Sequence, residues 1–263
     1  MGVFYEAIPD SMIPWIRAQK MFWVSTAPLS AQGHVNVSPK GDDKYFGVLD
    51  NRTFWYADLT GSGNETISHL YENGRITVMF HAFEGPPRIV RLYGTGSVLE
   101  SGTAEFDAFV ADNKIDKLFG LRSIIRVDIH QAGSSCGFSV PFYEFKEFRP
   151  TLNEHFERKA AKFKAGNEKE SMPRYWAFKN AWSVDNIPGM KVGLKTGSEE
   201  GIVPMKKMVG LPPPKNNQGW LGSVSHLSSL YSLCCSALPS LPFLSYPPPT
   251  WCRSCYVKSI SFS

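Results

Sequence analysis

Cysteine is almost missing from the body of this chain of 263 residues: Cys136 stands alone there, and the other four are Cys234, Cys235, Cys252 and Cys255. That distribution excludes a disulfide framework. The two late pairs lack the spaced ligand pairs of a zinc ribbon, and His34, His81 and His130 have no paired metal-ligand spacing, so no metal is expected. Ser and Pro interrupt every apolar window before it reaches the roughly 18 residues of a membrane helix, so no membrane span is expected. The net charge is only +4 and its lysines and arginines are scattered, which excludes a nucleic-acid face but suits a small anionic ligand. Met1 to Pro9 has neither a basic n-region nor an apolar h-region, which predicts no secretory signal and a cytoplasmic address. A Gly-x-Ser-x-Gly elbow and a P-loop lysine are both missing. Cys136, beside Gly137 and without a histidine partner, reads as a small packed residue rather than a nucleophile.

The stretch from Trp55 to Phe83 is the most informative one present. Trp55-Tyr56-Ala57-Asp58 and Arg75-Ile76-Thr77-Val78-Met79-Phe80 have the β-branched and aromatic content of strands. Between them, Thr60-Gly61-Ser62-Gly63-Asn64-Glu65-Thr66 leads into a short helix, with Asn64 as N-cap, Ile67, Leu70 and Tyr71 on one face and Gly74 at its close. A strand, a glycine turn and a helix N-terminus together present free N–H groups to an anion, most often a phosphate. A plain capped turn has the same pattern. Lys40, Arg88 and Arg91 are the cations available to it, and spacing lets only one of the two arginines share its face of a regular strand.

Around this stretch the periodicity predicts a helix after Asp10, then strands at Met21–Thr26, His34–Ser38 and Tyr45–Leu49 forming a meander through short turns. Arg88–Leu99 reads as a long strand whose two glycines mark a bulge. A helix is expected over Thr103–Ala111, a strand over Ser123–His130, a turn over Gln131–Gly137 and a further strand-like run over Phe138–Phe145. Such a set makes a small antiparallel β-barrel decorated by helices. Residues 1–150 then form the barrel domain and 151–210 a helical extension packing on it. Residues 211–263 form a Ser/Pro/Cys-rich tail, read as a disordered extension or translated non-coding sequence.

Several of these segments resemble the pyridoxamine 5′-phosphate oxidase-like family of flavin-binding split barrels: Phe22-Trp23-Val24-Ser25-Thr26, Gly33 to Gly41, Gly61 to Thr66 with His69-Leu70, Arg75 to Phe80, Arg88 to Gly94, and Ser135 to Pro141. The resemblance covers residues 10–150. It implies a mainly β fold, a six-stranded antiparallel Greek-key split β-barrel with peripheral helices, usually a homodimer with FMN in a groove between subunits. Another flavin or a deazaflavin is the alternative cofactor. Carried over, the cofactor would be held by Val37, Ser38, Lys40, Tyr56, Thr60, Ser62, Asn64, Thr66 and Arg88 or Arg91. The implied function is an FMN-dependent oxidoreductase acting on a small molecule, with a non-catalytic flavin- or haem-binding module as the alternative. Two departures stand out. Glu65 occupies a position where many relatives carry a basic residue, and no Arg-Leu-His-Asp-Arg run follows Phe145, so the resemblance does not extend to pyridoxamine phosphate oxidation itself.

Overall fold

In Met21–Thr26 every second residue is buried, so Phe22 and Val24 point into a core while Trp23 and Ser25 face outward. The same period-two alternation repeats along the neighbouring strands and builds one sheet from all of them. In the computed structural model, which describes residues 2–209, these strands are β1 (Val3–Tyr5), β2 (Met21–Thr26), β3 (Asn36–Gly41) and β4 (Phe46–Asp50). They continue with β5 (Thr53–Leu59), β6 (Arg75–His81), β7 (Ile89–Glu100) and β8 (Leu121–Ser135). All pairings are antiparallel, in the order β3-β2-β6-β7-β8-β5-β4, with β1 added to β8. The sheet curls into a half-barrel, and six α-helices accompany it among the described residues: α1 (Ile13–Arg17), α2 (Glu65–Asn73), α3 (Ala104–Asp112), α4 (Thr151–Lys164), α5 (Met172–Lys179) and α6 (Lys191–Glu200). No helix among the described residues is long and apolar enough to cross a membrane.

The split-barrel class is as the sequence implied, but five details differ. Among the described residues there are eight strands rather than six. The meander breaks between β3 and β4, which lie at opposite ends of the sheet: β4 pairs with β5, and the tight turn at Asp42, with φ of 76°, carries the chain across the open seam. The seam is bridged by side chains instead. Phe22 and Phe46 meet edge to face at 5.1 Å, inside a cluster with Phe54, Tyr56 and Phe80. The expected turn at Gln131–Gly137 is largely strand, because β8 runs on to Ser135 to pair with Ile89 on one side and with β1 on the other. Phe138–Phe145, expected as a strand, has no regular structure, and Phe138 and Phe142 are exposed. Cys136 is likewise exposed rather than packed.

The glycine expectation holds at Gly94. The register of β7 against β8 shifts between Tyr93 and Gly94, and a Cβ there would meet the Asp128 carbonyl oxygen at 2.6 Å. Helix α2 ends as predicted on Gly74 in the left-handed region, φ 71°, whose N–H donates back to the His69 and Leu70 carbonyls.

The C-terminal helices are tied to the barrel by one interior carboxylate. Glu100, 3% exposed at the end of β7, accepts from the Lys191 and Val192 N–H groups that open α6, and from the Tyr71 hydroxyl of α2 at 2.7 Å. Burial and the Glu100 carboxylate together push the Tyr71 phenol well above its usual range. A second tie runs from the Trp176 indole N–H of α5 to the Thr60 hydroxyl. The expectations for residues 211–263, the tail and its four cysteines included, lie outside the described residues.

Candidate functional site

Strand β3 splits the sequence-predicted residues by face. In its pairing with β2, Lys40 lies opposite Phe22 and Ser38 opposite Val24, so both turn inward. Val37, 60% exposed, and Pro39 turn outward beside Trp23. At the inner mouth of the barrel the Lys40 ammonium donates to Asp58 Oδ1 at 2.7 Å and sits 5.5 Å from the centre of the Tyr56 ring. The other carboxylate oxygen of Asp58 accepts from Arg122 Nε at 2.8 Å. Asp58 is fully buried and Arg122 only 4% exposed. Burial alone would raise the Asp58 carboxyl; Arg122 and Lys40 more than offset it and hold it at about 2. Two cations thus share one carboxylate, leaving one surplus positive charge at the mouth. Lys40 is the member that can turn to a ligand, since its side chain keeps 21% exposure and Arg122 alone still neutralises Asp58.

A hydroxyl and amide chain runs beside this group. Asn36 Nδ2 donates to Thr26 Oγ1 and Thr66 Oγ1, Ser38 Oγ donates to Asn36 Oδ1, and Thr26 Oγ1 meets His69 Nδ1 at 2.9 Å. His69 is buried, and desolvation pulls its pKa below the usual histidine value, which keeps the ring neutral.

The turn from Thr60 to Thr66 is less open than its glycines suggest. Its carbonyls point into the protein: Gly63 O accepts from Arg122 Nη1 at 2.7 Å, and Gly61 O from Asn180 Nδ2 at 3.0 Å. Thr60 is fully buried under Trp176. Asn64 stands at the N-cap of α2 but makes no capping bond. Its amide bonds Ser68 Oγ, and its oxygen accepts from Lys207 at 2.7 Å. The Glu65 carboxylate accepts from Val184 N–H at 3.2 Å and lies 3.6 Å from the Lys207 ammonium. Ser62 is exposed.

The two arginines do not join Lys40. Arg88 lays its guanidinium over the Trp15 ring at 5.4 Å. Arg91 lies on the outer face, in one row with Pro39, Trp23, Met79 and Gly133, three strand spacings or about 14 Å from β3. The structure therefore gathers Ser38, Lys40, Tyr56 and Thr66 at the inner mouth and buries Thr60 and Asn64 behind it. Val37 and Arg91 are on the outside. Asp58, Arg122, Asn36 and Lys207 were not singled out from the sequence. Only Asp58 carried a local signal, an acid closing a run of aromatic and apolar strand residues. Arg122 is 64 residues away from it and Lys207 is 142 residues from Glu65.

Comparison with known proteins adds a family to this geometry. Residues 8–136 match the pyridoxamine 5′-phosphate oxidase family model. A pyridoxamine 5′-phosphate oxidase family protein of Aspergillus flavus, ustO, is 38% identical over 206 residues, which span 76% of this chain and 82% of that protein. The chain belongs to the pyridoxamine 5′-phosphate oxidase family. Among solved structures, the H111A variant of HupZ from Group A Streptococcus is 22% identical, covering 49% of this chain and 99% of its own, with a TM-score of 0.39. HutZ, the heme storage protein of Vibrio cholerae, is 16% identical over 50% of this chain and 98% of its own, with a TM-score of 0.36.

A pyridoxamine 5′-phosphate oxidase family member implies FMN, and the donors here fit its phosphate at one place and not at another. The Lys40 group fits: it has a surplus charge, a lysine side chain that is 21% exposed, and hydroxyls on Ser38 and Thr66 nearby on the same inner side. The first turn of α2 does not fit, because the Glu65 carboxylate already stands there.

Proposed function

We propose that this pyridoxamine 5′-phosphate oxidase family protein binds FMN and works as an oxidoreductase on a small molecule. One observation carries the reading: two buried or half-buried cations, Lys40 and Arg122, face a single carboxylate, so the barrel mouth has one positive charge in excess. Without a ligand anion that charge is expensive to hold in a partly desolvated place. A phosphate taking over Lys40 leaves Asp58 paired with Arg122 and completes the charge balance. When bound, the flavin supplies the electron and hydride transfer; the chain binds and orients it. Ser38 and Thr66 would donate hydroxyls to the phosphate, and β3 would run beside the ring.

The outer face of β3 and β2 shows Val37 and Pro39 next to Trp23, and Val35, 69% exposed, lies just ahead of β3. This apolar strip supports a homodimer closing over the flavin, and we place the protein in the cytoplasm.

The test is the absorption spectrum of the purified full chain, with chemical identification of what denaturation releases. The expected result is a flavin spectrum and released FMN, or a rise in Tm when FMN is added to colourless protein. A colourless protein that gains no stability from FMN contradicts the proposal. Bound flavin that neither NADH, NADPH nor any other donor reduces would assign the non-catalytic alternative.

A further inference from the structure

The first-turn N–H groups of Glu65, Thr66 and Ile67 find no acceptor among the described residues, as the opening of a helix requires unless something caps it. What stands at that opening is the chain's own carboxylate. Glu65 folds back so far that one of its oxygens would lie 2.5 Å from a Cβ placed on Gly63. Its other oxygen accepts from Val184 N–H, at the tip of the loop between α5 and α6. Lys207, from the segment after α6, lies beside it and is fixed by Asn64 Oδ1. Both side chains are largely covered, Lys207 at 11% and Glu65 at 19% exposure. A helix N-terminus favours negative charge. Here that preference is already satisfied, with the counter-cation included.

We propose that Glu65 is an internal anion that keeps a ligand's phosphate off the start of α2, so that this chain selects phosphorylated flavins through Lys40 alone. The inference rests on the flavin reading and sharpens it. A second anion brought against the same N–H groups would meet a carboxylate whose own cation is committed, and like charges at such range disfavour each other strongly in a covered place. Lys40 sits apart from this pair, bonded to Asp58 rather than to Glu65. The consequence is a weak preference: FMN should bind only about tenfold more tightly than riboflavin, the share of one charge-assisted contact.

The experiment is a fluorescence titration of FMN and of riboflavin against the full chain, Glu65→Ser and Lys207→Met. Glu65→Ser vacates the helix start and frees Lys207 to face it, so FMN binding should tighten about tenfold further while riboflavin stays within about twofold. Lys207→Met leaves Glu65 without its cation and should weaken FMN severalfold, again sparing riboflavin. The Glu65→Ser/Lys207→Met double variant should recover the lost affinity. Thermal scans with inorganic phosphate run in parallel: millimolar phosphate should raise the Tm of Glu65→Ser by more than it raises that of wild type, whose response comes from Lys40 only. Folded Glu65→Ser with unchanged or weaker FMN affinity, or with no larger response to phosphate than wild type, overturns the inference. If no variant binds any flavin but phosphate stabilises Glu65→Ser alone, the filled helix start stands and the flavin reading falls.

Discussion

Replacing Asp58 by asparagine keeps its shape and removes the one negative charge between Lys40 and Arg122. The magnitude follows from two observations. At about 1.36 kcal/mol per pKa unit, the fall of the Asp58 carboxyl from 3.8 to about 2 is worth roughly 2–3 kcal/mol of stability. Its full burial, with Arg122 at 4% exposure, puts the loss of the anion in the class of a broken buried pair, ~3–5 kcal/mol. For a chain of this size that is a Tm lower by about 10 °C. The sign with pH is set by the direction of the shift. A carboxyl depressed in the folded state gives its stabilisation in full above its unfolded value of 3.8 and loses it as pH falls toward about 2. Urea unfolding of wild type and Asp58→Asn from pH 7 down to pH 2.5 should therefore show a constant gap above pH 5 and a narrowing one below pH 4. A gap smaller than ~1 kcal/mol at pH 7, or one that does not narrow in acid, would refute the buried triad. Inorganic phosphate should restore part of the lost stability in Asp58→Asn, because both cations are then unneutralised.

Two further substitutions probe the frame around the site. Glu100→Gln removes the charge that receives the Lys191 and Val192 N–H groups; unfolding should cost ~1–3 kcal/mol less, and limited proteolysis should cut first within residues 180–209. Gly94→Ala sets a methyl 2.6 Å from the Asp128 carbonyl oxygen, a backbone atom that cannot swing aside. It should lower stability by ~1–3 kcal/mol in chemical denaturation, without changing the FMN-to-riboflavin affinity ratio.

Much of the frame was legible because the strands carry their own period. Met21–Thr26 was read to the residue, and α2 is bounded by Gly74 in the left-handed cap its chemistry suggested and by Asn64 in position, though without the capping bond. The site was legible only in part. Asp58 is neutralised by Lys40 from 18 residues away and by Arg122 from 64, and neither spacing leaves a trace in a local pattern. The glycine turn misled for a related reason. Its amides looked available in isolation, but Asn180, Val184 and Lys207 fold back onto it from the C-terminal helices and adjoining loops. The meander failed at β3 and β4 because a short turn constrains how far two strands can separate, not whether they pair; here it spans the open seam.

The most direct test of the account is the FMN affinity of Lys40→Met beside that of wild type, with riboflavin as the control. Methionine keeps the apolar stem against Tyr56 and leaves Asp58 with Arg122, so the fold should persist. The account predicts that FMN binding weakens about tenfold, to the level of riboflavin, while riboflavin itself is unaffected. Equal FMN affinity in wild type and folded Lys40→Met would contradict it.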